Sequence, residues 1–225
     1  WIHPLGTDGL GRDYLSRLMH GARTSLTIAV SATLLAGAIG CVLGVLGGYI
    51  GGRTDLAVSY VLTTRLALPA AIIVLAIISI IGPSTVNLIL TIGLLYWPPF
   101  AIVARTATQE ARAQEYVTAA VAVGSRPFQI VWQEILPNIA PAILVIATLE
   151  LGYIILAEAS LSFLGLGVQP PAAAWGLMIN EGKQFMYARP WILAIPGVAI
   201  LTLVLALNLV GEALRQATDP TRESS

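Results

Sequence analysis

Uncharged stretches longer than one membrane crossing dominate this sequence. No charged residue occurs between Thr24 and Ile50 or between Leu66 and Ala104. An α-helix needs about 20 apolar residues to cross the hydrocarbon core of a bilayer. Only 11% of the 225 residues are charged, whereas an ordinary soluble domain carries about 25%. These features predict an all-α integral membrane protein, and the formal net charge of zero argues against a nucleic-acid-binding protein.

Turn-forming residues divide the apolar sequence into five predicted transmembrane helices. They cover about residues 24–50, 56–81, 85–104, 138–163 and 191–209. The run from Leu66 to Ala104 is too long for one crossing, so Gly82-Pro83-Ser84 is predicted to be a turn. Pro69 predicts a kink in the second span, because proline removes a helical hydrogen bond. Trp97-Pro98-Pro99 predicts a break near the middle or the end of the third span.

Four polar segments flank these spans: residues 1–23, 106–137, 164–190 and 210–225. The first is predicted to hold a short amphipathic helix over 13–22 along the membrane interface. The third is predicted to be a loop folded against the bundle. Two crossings separate 106–137 from the C-terminal tail, so these two segments share one side of the membrane, and 1–23 and 164–190 share the other. Lysine and arginine are divided too evenly between the sides to fix the orientation.

Two kinds of residue inside the spans are unusual for a lipid-facing helix. Small residues suggest close helix contacts, and charged residues suggest a polar cavity or pathway within the protein. Glycines recur every four residues at Gly40, Gly44, Gly48 and Gly52. They predict a helix face that another backbone approaches closely, although glycine is also simply common in membrane helices. Arg65 faces either a protein interior or water-filled cavity, or it extends to the nearby interface. Glu150 and Glu158, on roughly one helix face, either pair or line a polar cavity, or they carry protons.

Residues of the kind that perform catalysis do not form a recognisable set. His3 and His20 lack the spacing of a zinc site, and no metal site is predicted. Gly176 to Lys183 superficially resembles a phosphate-binding loop, but its glycine spacing is one residue too long, and Gln184 replaces the required Ser or Thr. The lone Cys41 is predicted to be a small packing residue. The chain is therefore not predicted to hydrolyse ATP with such a phosphate-binding loop, and any energy it uses must come from an ion gradient, a partner subunit or downhill flow.

The segment Glu115–Pro137 reads EYVTAAVAVGSRPFQIVWQEILP and lies between long apolar runs. Its alanine-rich first half favours a helix, and Gly124 is a common type of helix stop. Ser125 is a candidate N-cap and Pro127 lies in the first turn of a second short helix. The pattern predicts a helix, a glycine turn and a helix at the membrane surface. Such a unit either docks a partner outside the bilayer or rests on lipid headgroups as a connector.

Four stretches resemble one family of transport proteins. Residues 118–138, TAAVAVGSRPFQIVWQEILPN, resemble the EAA loop of ABC importer permeases. The stretches HPLGTDGLGRDYLSRLMHGAR, ILAEASLSFLGLGVQPP and NLVGEALRQATDP resemble the second (C-type) permease subunit of the dipeptide, oligopeptide and nickel family. The resemblance covers essentially the whole chain, in order.

The resemblance implies a type I ABC importer permease fold of six spans, the first of them preceding this sequence. It implies a bacterial or archaeal cytoplasmic membrane, with the 106–137 loop and the C-terminus in the cytoplasm. The implied partners are a second homologous permease, two ATP-binding subunits that hold ATP and Mg, and an external solute-binding protein. The chain itself is then a non-enzymatic subunit without a cofactor. Its implied cargo is a peptide, a nickel chelate, glutathione or a related small solute.

The resemblance also implies which residues couple the chain to its ATPase. They are Glu115, Tyr116, Thr118, Ala119, Ala120, Gly124, Ser125, Arg126, Phe128, Leu136 and Pro137. Thr118 departs from the family pattern, which has glutamate there. The apolar residues Phe128, Val131, Trp132 and Ile135 anchor the segment either to the partner or to the bundle. The competing hypothesis is a proton-coupled secondary transporter that uses Glu150 and Glu158.

Overall fold

A computed structural model describes residues 3–217, and most of those residues are helical. Its helices are α1 (Tyr14–Ile50), α2 (Gly52–Leu66), α3 (Ala70–Ile81), α4 (Thr85–Leu95), α5 (Pro98–Arg112), α6 (Glu115–Ala122), α7 (Pro127–Phe163), α8 (Trp175–Gly182) and α9 (Trp191–Ala217). An isolated antiparallel bridge joins Thr7 to Asp13. This architecture confirms the predicted all-α fold.

Within the described range, four segments are long and apolar enough to cross a membrane unaided. They are α1, α4 with α5, α7 and α9. The pair α2 and α3, bent by 76° at Ala67–Pro69, passes the same test when it is counted as one span, which brings the number to the five predicted. The expected kink at Pro69 is therefore a full break, and the Trp97-Pro98-Pro99 break separates α4 from α5. Proline explains both, because it lacks a backbone N–H and fits best at the start of a helix.

Two predicted elements differ from the structure. The separate interfacial helix over 13–22 is wrong, since α1 runs without a break from Tyr14 to Ile50. No residue between Tyr14 and Thr24 lacks a backbone N–H, and most of them are good helix formers. The second helix of the 115–137 segment is not short either, because it is the first part of α7.

The described residues form two compact units. One consists of the residues up to Thr33 with Ala71–Gly93 and Leu151–Leu207. The other consists of Leu34–Ala70 and Leu94–Glu150, with the chain from Asn208 onward. The second unit contains the 115–137 segment and is built on a close contact between α1 and α5.

Glycines create that contact. A Cβ atom placed on Gly40 would lie 2.5 Å from the carbonyl oxygen of Trp97. The corresponding distances are 2.5 Å from Gly44 to the Ala101 oxygen and 2.7 Å from Gly48 to the Arg105 oxygen. Only glycine lets the two backbones come this near.

Gly52 does not belong to this glycine face. Helix α1 ends at Ile50, and the connection to α2 runs through Gly51 and Gly52, the first residue of α2, with φ values of +72° and +55°. No atom lies within 4 Å of a Cβ placed on Gly52. Position 52 needs glycine because its φ is positive, and helix packing does not explain the residue.

Candidate functional site

The turn between α6 and α7 is a Schellman motif centred on Gly124. Gly124 has φ +83°, its N–H donates to the carbonyl of Val121 at 3.0 Å, and the N–H of Ser125 donates to the carbonyl of Ala120 at 3.1 Å. These bonds satisfy carbonyls that the end of α6 would otherwise leave free. No atom lies within 4 Å of a Cβ placed on Gly124. The turn therefore projects freely from the segment.

The start of α7 differs from the predicted cap. Pro127 occupies the first helical position, so Arg126 rather than Ser125 is the N-cap residue. The backbone N–H of Arg126 donates to the side-chain oxygen of Gln129 at 3.1 Å. Ser125 instead completes the end of α6. A π-helical turn over Ile130–Ile135 then leads into the rest of α7.

The inner side of Glu115–Pro137, which we call the coupling segment after the role that the resemblance implies for it, is buried. Val117, Ile130 and Ile135 are at most 2% exposed. Their core cluster also includes Val45 of α1, Ala104 and Ala111 of α5, and Ile139 of α7. Burying side chains of this size stabilises the contact by about 2 kcal/mol each. The coupling segment is thus held firmly to α1 and α5.

The outer side of the coupling segment is apolar and exposed. Val123, Phe128 and Trp132 are 83%, 75% and 63% exposed. The rings of Phe128 and Trp132 stack with their centroids 6.2 Å apart and an interplanar angle of 11°. Stacking pre-orders both side chains, which lowers the entropy lost on binding a partner.

The structure divides the remaining predicted coupling residues between these two sides. The exposed residues are Glu115, Tyr116, Thr118, Ala119, Arg126 and Pro137. Ala120, Val131 and Leu136 are partly buried against the core cluster. The hydroxyl of Thr118 donates to the carbonyl of Gln114 at 3.3 Å, so it turns back on its own helix. Of the four proposed anchors, Phe128 and Trp132 face outward, whereas Val131 and Ile135 pack inward.

The polar contacts that stabilise the compact unit containing the coupling segment were not predicted from the sequence. Arg105 of α5 pairs with Asp55 of α2, with Nη2 2.7 Å from Oδ2. The Arg112 guanidinium lies 6.0 Å from the ring centroid of Tyr49. A cavity of about 510 Å³ beside α6 is lined by Tyr49, Ile50, Arg112, Val117, Thr118, Val121 and Pro127. No local spacing signals these pairs, because their members are far apart in sequence.

The charged residues inside the spans have separate environments. Arg65 is partly buried and donates to the carbonyls of Leu95 and Leu68. Glu158 is fully buried and accepts a 2.7 Å hydrogen bond from Ser162, whereas Glu150 is only partly buried. Within residues 3–217, no group of three or more His, Cys, Asp or Glu side chains is arranged to hold a metal ion.

A second polar cluster lies in the other unit and was also missed. Asp8 accepts hydrogen bonds from Arg12 Nε at 2.7 Å and Arg17 Nη1 at 2.8 Å, and Arg17 Nη1 also reaches Glu181 at 2.6 Å. Burial alone would raise the pKa of Asp8, but the hydrogen bonds from Arg12 and Leu10 and the charge of Arg12 lower it below its ordinary value. The indole N–H of Trp175 donates to the carbonyl of Leu18 at 2.9 Å. Residues 8–18 are therefore tied to α8.

Comparison with known proteins identifies the class to which this geometry belongs. Residues 40–223 match the family described as "Binding-protein-dependent transport system inner membrane component". The chain belongs to this family. It is accordingly a multi-pass transport component of the cytoplasmic membrane.

Named relatives in this permease family match nearly the whole chain. The "Dipeptide transport system permease protein DppC" of Alkalihalophilus pseudofirmus is 38% identical over 99% of this chain and 73% of its own length. The "Di/tripeptide transport system permease protein DppC" of Pseudomonas aeruginosa is 39% identical, with coverages of 96% and 71%. The "Nickel transport system permease protein NikC" of Escherichia coli K12 is 38% identical, with coverages of 97% and 79%.

Solved structures show the same fold. A chain of the MetNI methionine ABC transporter in an inward-facing conformation superposes with a TM-score of 0.73 at 22% identity, over 90% of this chain and 96% of that one. A chain of an amino acid ABC transporter crystallised with histidines gives a TM-score of 0.55 at 19% identity. The permease therefore has the type I ABC importer fold.

Proposed function

We propose that this chain is a transmembrane permease subunit of an ATP-driven importer for di- or oligopeptides or related small solutes. The coupling segment carries this proposal, because it combines a buried inner side with an exposed apolar outer side. Relatives named for dipeptide, di/tripeptide and nickel transport support the cargo class. The sequence offers no phosphate-binding loop of its own, so hydrolysis falls to a partner.

The outer side of the coupling segment is the proposed docking surface for the ATPase. Two stacked aromatic rings beside a freely projecting turn are suited to a groove on a partner, because aromatic residues dominate the energetics of interfaces. Helix α7 runs continuously from Pro127 to Phe163. A displacement of the docked surface is therefore transmitted along a transmembrane helix, while the core cluster transmits it to α1 and α5.

The complete importer in this proposal contains a second homologous permease, two ATP-binding subunits and an external solute-binding protein. ATP and Mg bind the ATPase subunits, and this chain holds no cofactor. The 106–137 loop and the 210–225 tail lie in the cytoplasm, and the 1–23 and 164–190 segments lie outside; residues 218–225 fall outside the described range. The stoichiometry rests on the family resemblance.

Proton coupling through Glu150 and Glu158 is the weaker hypothesis. The buried Glu158 has a structural hydrogen bond from Ser162, and the two carboxylates differ in exposure along α7. Family membership favours ATP-driven transport instead.

The docking surface is tested by removing the aromatic pair. In the permease co-expressed with its partner subunits, Phe128→Ala with Trp132→Ala should weaken ATPase binding by about 30-fold or more, because interface aromatics often contribute at least about 2 kcal/mol. The measurement is ATPase retention on the affinity-purified permease as its concentration is lowered.

A matched control is Leu56→Ala with Tyr60→Ala. These residues form an equally exposed apolar pair four residues apart on α2, at 71% and 72% exposure. The control should retain the ATPase fully. Equal retention by the Phe128/Trp132 variant and the wild type would contradict the assignment of the docking surface.

A further inference from the structure

The junction of α4 and α5 leaves a backbone carbonyl without its helical donor. In a continuous α-helix the carbonyl of Leu95 accepts from the N–H of residue 99. Residue 99 is proline, and so is residue 98, which would supply the donor of a tighter 3₁₀ turn. Tyr96 and Trp97 at this junction are each only 7% exposed. A carbonyl inside a membrane protein must find another donor, since lipid supplies none.

Arg65 supplies that donor. Its Nη2 atom lies 2.6 Å from the Leu95 oxygen, and its Nη1 atom lies 3.2 Å from the Leu68 oxygen. Leu68 sits in the break between α2 and α3, where Pro69 cannot donate to the carbonyl of Arg65 itself. One guanidinium therefore donates a hydrogen bond to a carbonyl at each of the two proline breaks. Its planar fork of five N–H groups allows this, whereas the single nitrogen of lysine cannot match two separated acceptors in the same way.

We propose that Arg65 is a positioning residue that joins the two broken spans and maintains the Tyr96–Trp97 junction as a hinge during transport. A backbone N–H holds its acceptor in one helical geometry. A long side chain instead follows its acceptor as the angle at the break changes, so the carbonyl stays bonded throughout the motion. The hinge role rests on the proposed ATP-driven cycle; the role of Arg65 in holding the junction does not.

Spin labels on the two sides of the junction test this proposal. Val86 and Ile102 are 62% and 46% exposed, and a straight helix would separate them by about 24 Å. Labels are attached at Val86→Cys and Ile102→Cys in a Cys41→Ser background, in the permease co-purified with its partner subunits. Their distance distribution is measured without nucleotide and after trapping with ATP and vanadate. In the parent protein, trapping should shift the distance.

Three variants separate the hinge from a simple packing role. Arg65→Met should broaden the nucleotide-free distribution, because the junction loses its donor. Pro98→Ala with Pro99→Ala should abolish the ATP-dependent shift, because residue 99 regains an N–H for Leu95. Combining all three substitutions should restore a narrow distribution without restoring the shift, even if Arg65→Met alone assembles poorly. Arg53→Met is the control, because Arg53 is exposed near the start of the same helix. Its distance distribution and its ATP-dependent shift should equal those of the parent protein.

The outcomes that overturn the proposal are distinct. A parent distance that stays fixed while the complex hydrolyses ATP rules out the hinge. An Arg65→Met distribution as narrow as that of the parent rules out the positioning role. Recovery of the ATP-dependent shift in the triple variant shows that Arg65 only stabilises the fold. Failure of any ATPase to co-purify counts against the proposed function instead, and the nucleotide-free distributions then still decide the role of Arg65.

Discussion

Asp8 shows how a single residue fixes a polar segment to the helices. Its carboxylate accepts from two backbone N–H groups, those of Leu10 and Arg12, and from the side chains of Arg12 and Arg17. These bonds favour the charged form and lower the pKa of Asp8 despite its burial. A lowered folded-state pKa means that the stabilisation is complete above the ordinary value of 3.8 and is lost only as the pH falls through the lower folded value.

Asp8→Asn should lower the free energy of unfolding by about 2 kcal/mol, since Arg17 is 8% exposed and loses one of its charged partners. Thermal unfolding in detergent should show a lower midpoint than the wild type. Acidification from pH 7 to 5 should leave the stabilisation by Asp8 intact. The difference in unfolding midpoint between the variant and the wild type should therefore stay constant over that interval. A difference that shrinks by pH 5 would contradict the lowered pKa.

Glu212→Gln provides the comparison for Asp8→Asn. Its ion pair with Arg215 lies on the surface, at 46% and 65% side-chain exposure. Exposed pairs contribute little to stability. The unfolding midpoint of this variant should match that of the wild type.

Glu158 carries the residue-level test of the proton-transport hypothesis. Glu158→Gln keeps an oxygen that can accept from Ser162 but removes any proton-carrying function. ATP-dependent uptake of a labelled dipeptide should therefore persist in vesicles containing the whole complex. Uptake that depends on a pH gradient in the wild type and disappears in the variant would support the alternative hypothesis.

At the scale of helices, the contact between α1 and α5 depends on glycine at specific positions. Gly44→Ala should lower the free energy of unfolding by about 1–3 kcal/mol, because the added methyl group would meet the Ala101 oxygen at 2.5 Å and the Ala104 Cβ at 2.7 Å. Thermal unfolding in detergent measures the effect.

Gly37→Ala is the matched control for this contact. Its Cβ would lie 3.4 Å from the Phe100 ring, a much looser contact in the same helix. Alanine also favours the helix over glycine. This variant should be at least as stable as the wild type, and equal destabilisation by both substitutions would refute the packing argument.

The existence of the spans and their breaks was predictable from sequence, because the length of an apolar run and the position of a proline are local signals. The five spans and the breaks near Pro69 and Pro98 follow from such signals. Helix ends were less predictable, because Gly52 and Ser125 obey turn geometry that only the surrounding residues determine. Contacts such as Arg65 with Leu95 or Arg17 with Glu181 join distant parts of the chain, and no spacing rule marks them.

At the scale of the whole molecule, the coupling segment joins an exposed apolar surface, which we propose docks the ATPase, to transmembrane helices. The sequence located this segment and the resemblance suggested its role, but only the structure separated its outward residues from its inward ones. Phe128 and Ile135 are both large and apolar, and sequence alone does not tell which faces a partner. In the proposed importer, the buried side would pass a force applied outside the membrane to α1, α5 and α7.

Gly124→Asp in the reconstituted importer tests the central claim most directly. Gly82→Asp is the matched control, since Gly82 has the same φ of +83° and equally open surroundings in the turn between α3 and α4. Backbone strain is therefore similar in both variants, and the negative charge differs only in its location. The measurement is ATP hydrolysis stimulated by the solute-loaded binding protein, together with uptake of labelled dipeptide. Gly124→Asp should lose both while remaining in the membrane, and Gly82→Asp should keep both; undiminished stimulation in Gly124→Asp would contradict the account.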